Sequence, residues 1–222
     1  MKRLFVFIGM LSLSTSCITF VMGDRVVGEG PSVTEKRSYD AEICGVGVAS
    51  GVDLILDDSV ERGELLITTA QNIMEYVEIE KQGDTLNIGL RSGVSYKVDE
   101  IEVRMSPDNL STFAASGGSD ISACQELHFD SNITIAASGG ADVSLRGSCR
   151  DLMVAVSGGA DVDLSDMRAE RVSAAASGGA DLEVYATVAY DINASGGADV
   201  EYRATSATTN IHSSGGADIR AI

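Results

Sequence analysis

The sequence has few aromatic residues, few prolines and few basic residues. Among its 222 residues there is no tryptophan, aromatic residues make up 5%, and there are two prolines. Strands can therefore run uninterrupted, and they must pack on a thin interior of small aliphatic side chains. Sixteen lysines and arginines stand against 33 aspartates and glutamates, a net charge of −17. Such a surface repels nucleic acid and anionic lipid headgroups, so we expect no nucleic-acid partner.

Long apolar runs are also missing, because no stretch after the N-terminal segment is long enough for a transmembrane helix. Residues 1–16 have the pattern of a signal peptide, with Lys2 and Arg3 before the apolar run Leu4–Leu13. Small residues then lead to Cys17, in a sequence that resembles the lipobox of bacterial lipoproteins. The resemblance implies cleavage before Cys17, a lipid on this cysteine, and anchoring in the bacterial cell envelope at the outer membrane. The alternative is an ordinary secretory signal with an incidental cysteine.

Cysteine and histidine are too scarce and too dispersed to indicate a metal or catalytic site. Three cysteines follow the predicted signal, Cys44, Cys124 and Cys149, so at least one thiol is unpaired within the chain. A disulfide between Cys124 and Cys149 is one alternative in an oxidising envelope. No C-x-x-C spacing occurs, and His128 and His212 are each isolated. With serine and aspartate so abundant, a Ser/His/Asp triad assembled on paper carries no information. We therefore expect no enzymatic activity.

What the sequence does contain is six copies of one short phrase. SGGSD starts at Ser116, and SGGAD starts at five later serines, with 18 to 22 residues between successive starts. A repeat this short cannot bury a hydrophobic face alone, so its copies must stack. Coils of about 20 residues with two to three strands each predict an all-β parallel β-helix.

Apolar residues alternate with polar residues along each coil and through the phrase. Val156, Gly158 and Ala160 share one parity, which is predicted to face inward, whereas Ser157 and Asp161 share the other. The phrase is therefore predicted to be near-extended where two strands meet at a corner. The alanines predicted to lie inside are Ala141, Ala160, Ala180 and Ala198.

The outward parity predicts a surface ladder of serines and aspartates. Its members are Ser116, Asp120, Ser138, Asp142, Ser157, Asp161, Ser177, Asp181, Ser195, Asp199, Ser214 and Asp218. Stacked carboxylates about 5 Å apart repel one another. Calcium bound by the aspartates could neutralise the ladder. The alternative, which we expect, is hydrogen bonding from the serines or glycine amides, with solvent screening the remainder and no cofactor.

The phrase resembles the repeats of the head GIN domain family, named as an auto-transporter adhesin of bacterial envelopes. Further matches are Gly45–Leu54 (GVGVASGVDL) and Lys81–Ile88 (KQGDTLNI), and the resemblance extends over residues 25–222. It implies a right-handed parallel β-helix and brings no catalytic residues. The segment Gly51-Val52-Asp53 resembles a degenerate Gly-Ala-Asp, which predicts that stacking starts near residue 45.

These observations divide the chain and predict its role. Residues 17–36 form a lipidated cysteine and tether, residues 37–110 an N-terminal β segment merging into the stack, and residues 111–222 the regular coils. We expect a non-enzymatic envelope lipoprotein whose surface binds a polysaccharide or a protein. The alternative is a carbohydrate-active β-helix enzyme or a calcium-dependent glycan binder. Converging acidic and basic side chains in a groove would favour the enzyme. The uncapped last coil predicts homo-oligomers.

Overall fold

The computed structural model describes residues 25–205 and 207–222, which are mostly β-strand. The predicted signal peptide and Cys17 lie outside the described residues. The strands are β1 Arg25–Val27, β2 Ser32–Ser38, β3 Gly45–Ala49, β4 Asp53–Leu56, β5 Glu64–Ala70, β6 Val77–Gln82, β7 Thr85–Leu90, β8 Ser95–Lys97, β9 Ile101–Met105, β10 Thr112–Ser116, β11 Asp120–Ala123, β12 Leu127–His128, β13 Ile133–Gly139, β14 Asp142–Ser144, β15 Gly147–Gly158, β16 Asp161–Gly178, β17 Asp181–Ala194, β18 Asp199–Tyr202, β19 Thr208–Ser213 and β20 Asp218–Ala221. One 3-10 turn spans Met74–Tyr76, and no helix in the described ranges is long and apolar enough to cross a bilayer.

The strands wind into a β-solenoid of about five turns with about 20 residues per coil, which confirms the predicted fold class. Equivalent strands of successive coils pair in parallel and in register. Ser138 pairs with Ser157, and Ser157 pairs with Ser177, so each phrase lies directly on the previous one. A residue type repeated at one position of the coil therefore forms a column along the stack.

Alternation along the strands builds the core. Leu152, Val154 and Val156 are buried, whereas Met153 and Ala155 between them are exposed. The alanines of the phrase form one fully buried column, as predicted, at Ala141, Ala160, Ala180 and Ala198. The methyl groups of this column are completely covered by their neighbours.

The bend itself differs from the prediction. Gly158, expected inside, is exposed and has a φ of +79°, and the equivalent Gly178 has a φ of +82°. This left-handed conformation, which glycine adopts readily, interrupts the alternation. Three outward residues therefore separate the inward Val156 and Ala160, and the phrase is a compact bend.

Ser119 explains why one copy of the phrase reads SGGSD. It occupies the buried alanine position with no exposed surface. Its Oγ accepts hydrogen bonds from the backbone N–H groups of Gly51 and Val52, each at 3.1 Å. The coil at Gly51 has one glycine fewer than the others. The hydroxyl thus satisfies two amides at the junction of an irregular coil with a regular one.

The N-terminal segment begins the stack and covers its first end. Strands β3 and β4 pair in parallel with β10 and β11, so the stacking starts near residue 45 as predicted. Antiparallel pairs then follow at this end, β6 with β7, β9 with β5, and β5 with β2. Ile73, Met74 and Val77 are buried here.

The three cysteines of the described residues are all free thiols, so Cys124 and Cys149 form no disulfide. Cys149 is buried, whereas Cys124 is exposed, as is Cys44. A disulfide requires two cysteine side chains that point towards each other, whereas Cys149 is buried and Cys124 is exposed to solvent. Burial, with a smaller effect of the Asp151 charge, raises the pKa of the Cys149 thiol to about 11.

Candidate functional site

A long groove runs along one face of the solenoid, and small side chains form its floor. The floor is a register column of outward residues, Gly47, Ala114, Ala136, Ala155, Ala175, Asn193 and His212. With a strand spacing of about 4.8 Å, its six steps extend over about 29 Å. The groove has a volume of about 640 Å³. We call it the alanine groove.

The serines of the phrase form one side of the alanine groove. All six line it, namely Ser116, Ser138, Ser157, Ser177, Ser195 and Ser214. No hydrogen-bond partner for these hydroxyls is found among residues 25–205 and 207–222, whereas a serine hydroxyl can both donate and accept. The structure therefore places a row of uncommitted hydroxyls beside an apolar floor, with one hydroxyl per coil.

No acid, lysine or arginine lines the part of this groove that the structure describes. Its polar residues besides serine are Asn87 near one end and Asn193 and His212 near the other. A lyase or hydrolase needs acid and base groups that converge on one substrate atom. The groove offers shape, methyl groups and hydroxyls, which suit binding.

The aspartates form a separate column beyond the bend. In the structure, six aspartates pair in register and are exposed, namely Asp120, Asp142, Asp161, Asp181, Asp199 and Asp218. The column is longer than predicted, because Asp53 and Glu102 continue it at the N-terminal end. We call these eight residues the carboxylate ladder. Burial, and then the charge of Asp120, raises the pKa of Asp53.

A second outward column lies beside the ladder and is also acidic. Ser144, Asp163, Glu183, Glu201 and Arg220 follow one another in register. Burial, and then the charges of Asp163 and Glu201, raises the pKa of Glu183. Arg220 forms an ion pair with Glu201. This face of the late coils is therefore strongly acidic up to the last coil.

The expected neutralisation of the ladder by serines and glycine amides is wrong. The serines line the groove on the other side of the bend, and glycine amides of the phrase bond to backbone carbonyls of neighbouring coils. Gly159 N–H donates to Gly139 C=O at 2.9 Å, and Gly179 N–H to Gly158 C=O at 2.8 Å. Screening by water and dissolved ions therefore reduces the repulsion between the carboxylates. In the described part of the chain, no three histidine, cysteine, aspartate or glutamate residues are placed to hold a metal ion.

The alanine groove was not predicted from the sequence, although a signal for it exists. Most outward positions of the coils are polar, but the position two residues before the phrase serine is alanine in four coils, at Ala114, Ala136, Ala155 and Ala175. An alanine at an exposed position is individually unremarkable. Only the register shows that the four are adjacent.

Fold and site together define a class of protein, a β-solenoid that presents an uncharged groove along its coils. The family described as "Putative auto-transporter adhesin, head GIN domain" matches residues 44–206, and the chain belongs to this family. Membership indicates a protein of the cell envelope or surface. No curated protein matches the chain.

Solved structures share the fold. A "putative adhesin" from Bacteroides fragilis NCTC 9343 superposes with a TM-score of 0.70 at 18% identity, covering 89% of this chain and 100% of that one. A "putative adhesin" from Parabacteroides distasonis ATCC 8503 has a TM-score of 0.54 at 18% identity, with the same coverage. A "putative lipid binding protein" from the same strain has a TM-score of 0.58 at 15% identity, covering 90% of this chain and 100% of that one.

Proposed function

We propose that this protein is a non-enzymatic, lipid-anchored envelope protein whose alanine groove binds an extended polysaccharide. The observation that carries the proposal is a groove without acidic residues, lysine or arginine and with one serine hydroxyl per coil. Membership of an adhesin family supports a binding role at the cell envelope. The proposed anchor is a lipid on Cys17, at the outer membrane. A Cys17→Ser variant is expected to leave the membrane fraction.

The chemistry of the groove suits a sugar polymer. A pyranose ring has apolar C–H faces and a hydroxylated edge, so a ring can pack its face on the alanine methyl groups and bond its edge to the serines. The coil spacing of about 4.8 Å is close to the length of one sugar in an extended chain. Each contact is weak, but one polymer engages many equivalent coils, which raises the overall affinity.

The test is a glycan array probed with wild-type protein and two matched variants. Ala155→Arg places a long side chain on the groove floor, and because Ala155 is exposed the fold should tolerate it. Ser144→Arg makes the same kind of change at an exposed position of the acidic face. We expect Ala155→Arg to lose binding and Ser144→Arg to keep it.

Other outcomes favour the alternatives. Equal binding by both variants would place the ligand outside the groove. Binding abolished by a chelator would favour a calcium-dependent glycan binder, and shortening of a bound polysaccharide would favour an enzyme. The array could also give no signal while the wild-type protein captures a protein that Ala155→Arg does not capture. That result would indicate a protein ligand.

An acyl chain is a second candidate occupant of the alanine groove. The methyl groups of the floor favour it, and one solved relative in fold is titled a "putative lipid binding protein". Titration with a fluorescent fatty acid distinguishes the two ligands. Saturable binding that Ala155→Arg abolishes would support the acyl chain over the polysaccharide.

A further inference from the structure

The last coil of the described chain has a free strand edge. Strand β20 pairs in parallel with β18, and none of the other described strands pairs with it. Asp218 N–H bonds to Ala198 C=O at 3.0 Å, and Ile222 N–H bonds to Tyr202 C=O at 2.9 Å. Because alternate residues of a strand direct their backbone polar groups to opposite edges, the N–H and C=O groups of Ile219 point to the free edge.

Apolar surface accompanies this edge. Val200 in the preceding coil is 1% exposed because β20 covers it, whereas the equivalent Ile219 is only half-buried. Ala217 and Ile211 of the same coil are also half-buried. An edge strand with an apolar inner side readily pairs with another strand.

The charges of β20 are complementary to those of the same strand running in the opposite direction. Asp218 and Arg220 are exposed and flank Ile219, and the Arg220 guanidinium, which pairs with Glu201 of its own chain, has further N–H donors for a second carboxylate. If two copies of β20 pair antiparallel with the Ile219 residues opposite each other, Asp218 of each copy lies opposite Arg220 of the other. Residues directly opposite in an antiparallel pair lie on the same face, so both ion pairs form on the outside.

We propose that β20 is a contact between two copies of this chain, related by a two-fold axis at Ile219. The central Ile219 residues exchange two backbone hydrogen bonds, and their side chains continue the core from one solenoid into the other. A two-fold contact of this kind is self-complementary and closed, so it yields dimers and no filaments. One strand pair buries less surface than a stable dimer usually needs, so we expect a weak dimer with a dissociation constant on the order of tens of micromolar.

Charge-reversal variants of the purified full chain test this contact. Sedimentation velocity over a range of concentrations measures the dissociation constant of each variant. Asp218→Arg and Arg220→Asp each turn two attractive pairs into two repulsive ones, and each should raise the dissociation constant by about tenfold or more. An equimolar mixture of the two variants restores attraction, as does the double variant Asp218→Arg/Arg220→Asp. Asp161→Arg, in the same ladder three coils away, is the control and should associate like wild type.

The proposal is overturned by a wild-type protein that stays monomeric at high micromolar concentration. It is also overturned if the single variants associate as well as wild type, or if their mixture associates no better than either alone. Circular dichroism confirms that each variant is folded. Recovery in the mixture and the double variant excludes simple unfolding as the cause of a loss.

Discussion

The stacked glycines allow a sharp test of the fold, the substitution Gly178→Ala. Gly178 has a φ of +82°, and a Cβ there would lie 2.9 Å from both the backbone N and O of Gly158 in the preceding coil. The left-handed conformation costs alanine about 1–2 kcal/mol. Contact with the rigid backbone of this preceding coil adds about 1–3 kcal/mol, as overpacking does elsewhere. We therefore expect a loss of about 2–5 kcal/mol in the free energy of unfolding.

The adjacent glycine supplies the control. Gly179 lies outside the left-handed region, and a Cβ there would be 3.8 Å from the nearest backbone atom, the carbonyl oxygen of Gly158. Alanine at this position meets ordinary van der Waals contact and reduces the freedom of the unfolded chain. Gly179→Ala should therefore change the free energy of unfolding by less than about 1 kcal/mol, in either direction.

Urea unfolding of wild type and both variants, followed by circular dichroism, measures the difference. Comparing the slopes with denaturant checks that all three unfold as the same cooperative unit. Equal stability of Gly178→Ala and wild type would refute the close stacking of the bends. Equal losses for both variants would show that the bend excludes side chains in general.

Three further perturbations probe the core, the ladder and the thiols. Ala180→Leu should lower the free energy of unfolding by about 1–3 kcal/mol, because the narrow interior at the bend has no space for the larger side chain; thermal melts measure this. Asp53→Asn should raise the melting temperature at pH 7 and leave it unchanged below about pH 4. The pKa of Asp53 is raised on folding, so folding favours the protonated carboxyl. The resulting stabilisation is present in acid and is lost as the pH rises through the folded-state pKa. A melting temperature lowered at neutral pH would contradict this reasoning. Maleimide labelling at pH 7.5 should modify the exposed Cys44 and Cys124 quickly and leave Cys149 unmodified until the protein unfolds, as read by peptide mass spectrometry.

The features that can be predicted from this sequence are those whose interactions repeat along the chain. The period of the phrase predicts the solenoid, because each coil can bury its apolar face only against the next. The alternation on both sides of the bend predicts that Ala160 and Ala180 lie inside, since neighbouring side chains of a strand face opposite ways. Both inferences need only the local rules of a strand.

The features that cannot be predicted are those that depend on one backbone angle or on the position of one distant strand. Gly158 was placed inside because a pattern of alternation assumes extended backbone, and a single left-handed residue breaks it. Glu102 was missed as a ladder member because its place depends on β9 lying beside β4 in the irregular N-terminal segment. Strand order of this kind leaves no periodic trace in the sequence.

By itself, the sequence determined that this protein is a stack of short β coils with alanines inside each bend and aspartates in a column outside. Repeated residues imply repeated environments, so the phrases stay in register along the stack although the pairing shifts between Leu164 and Arg168. Only the tertiary structure decided what the outer face presents. Outward alanines scattered along the chain become the floor of a groove once strands pair about 4.8 Å apart. The bend then places the serines in that groove and the aspartates on the neighbouring face.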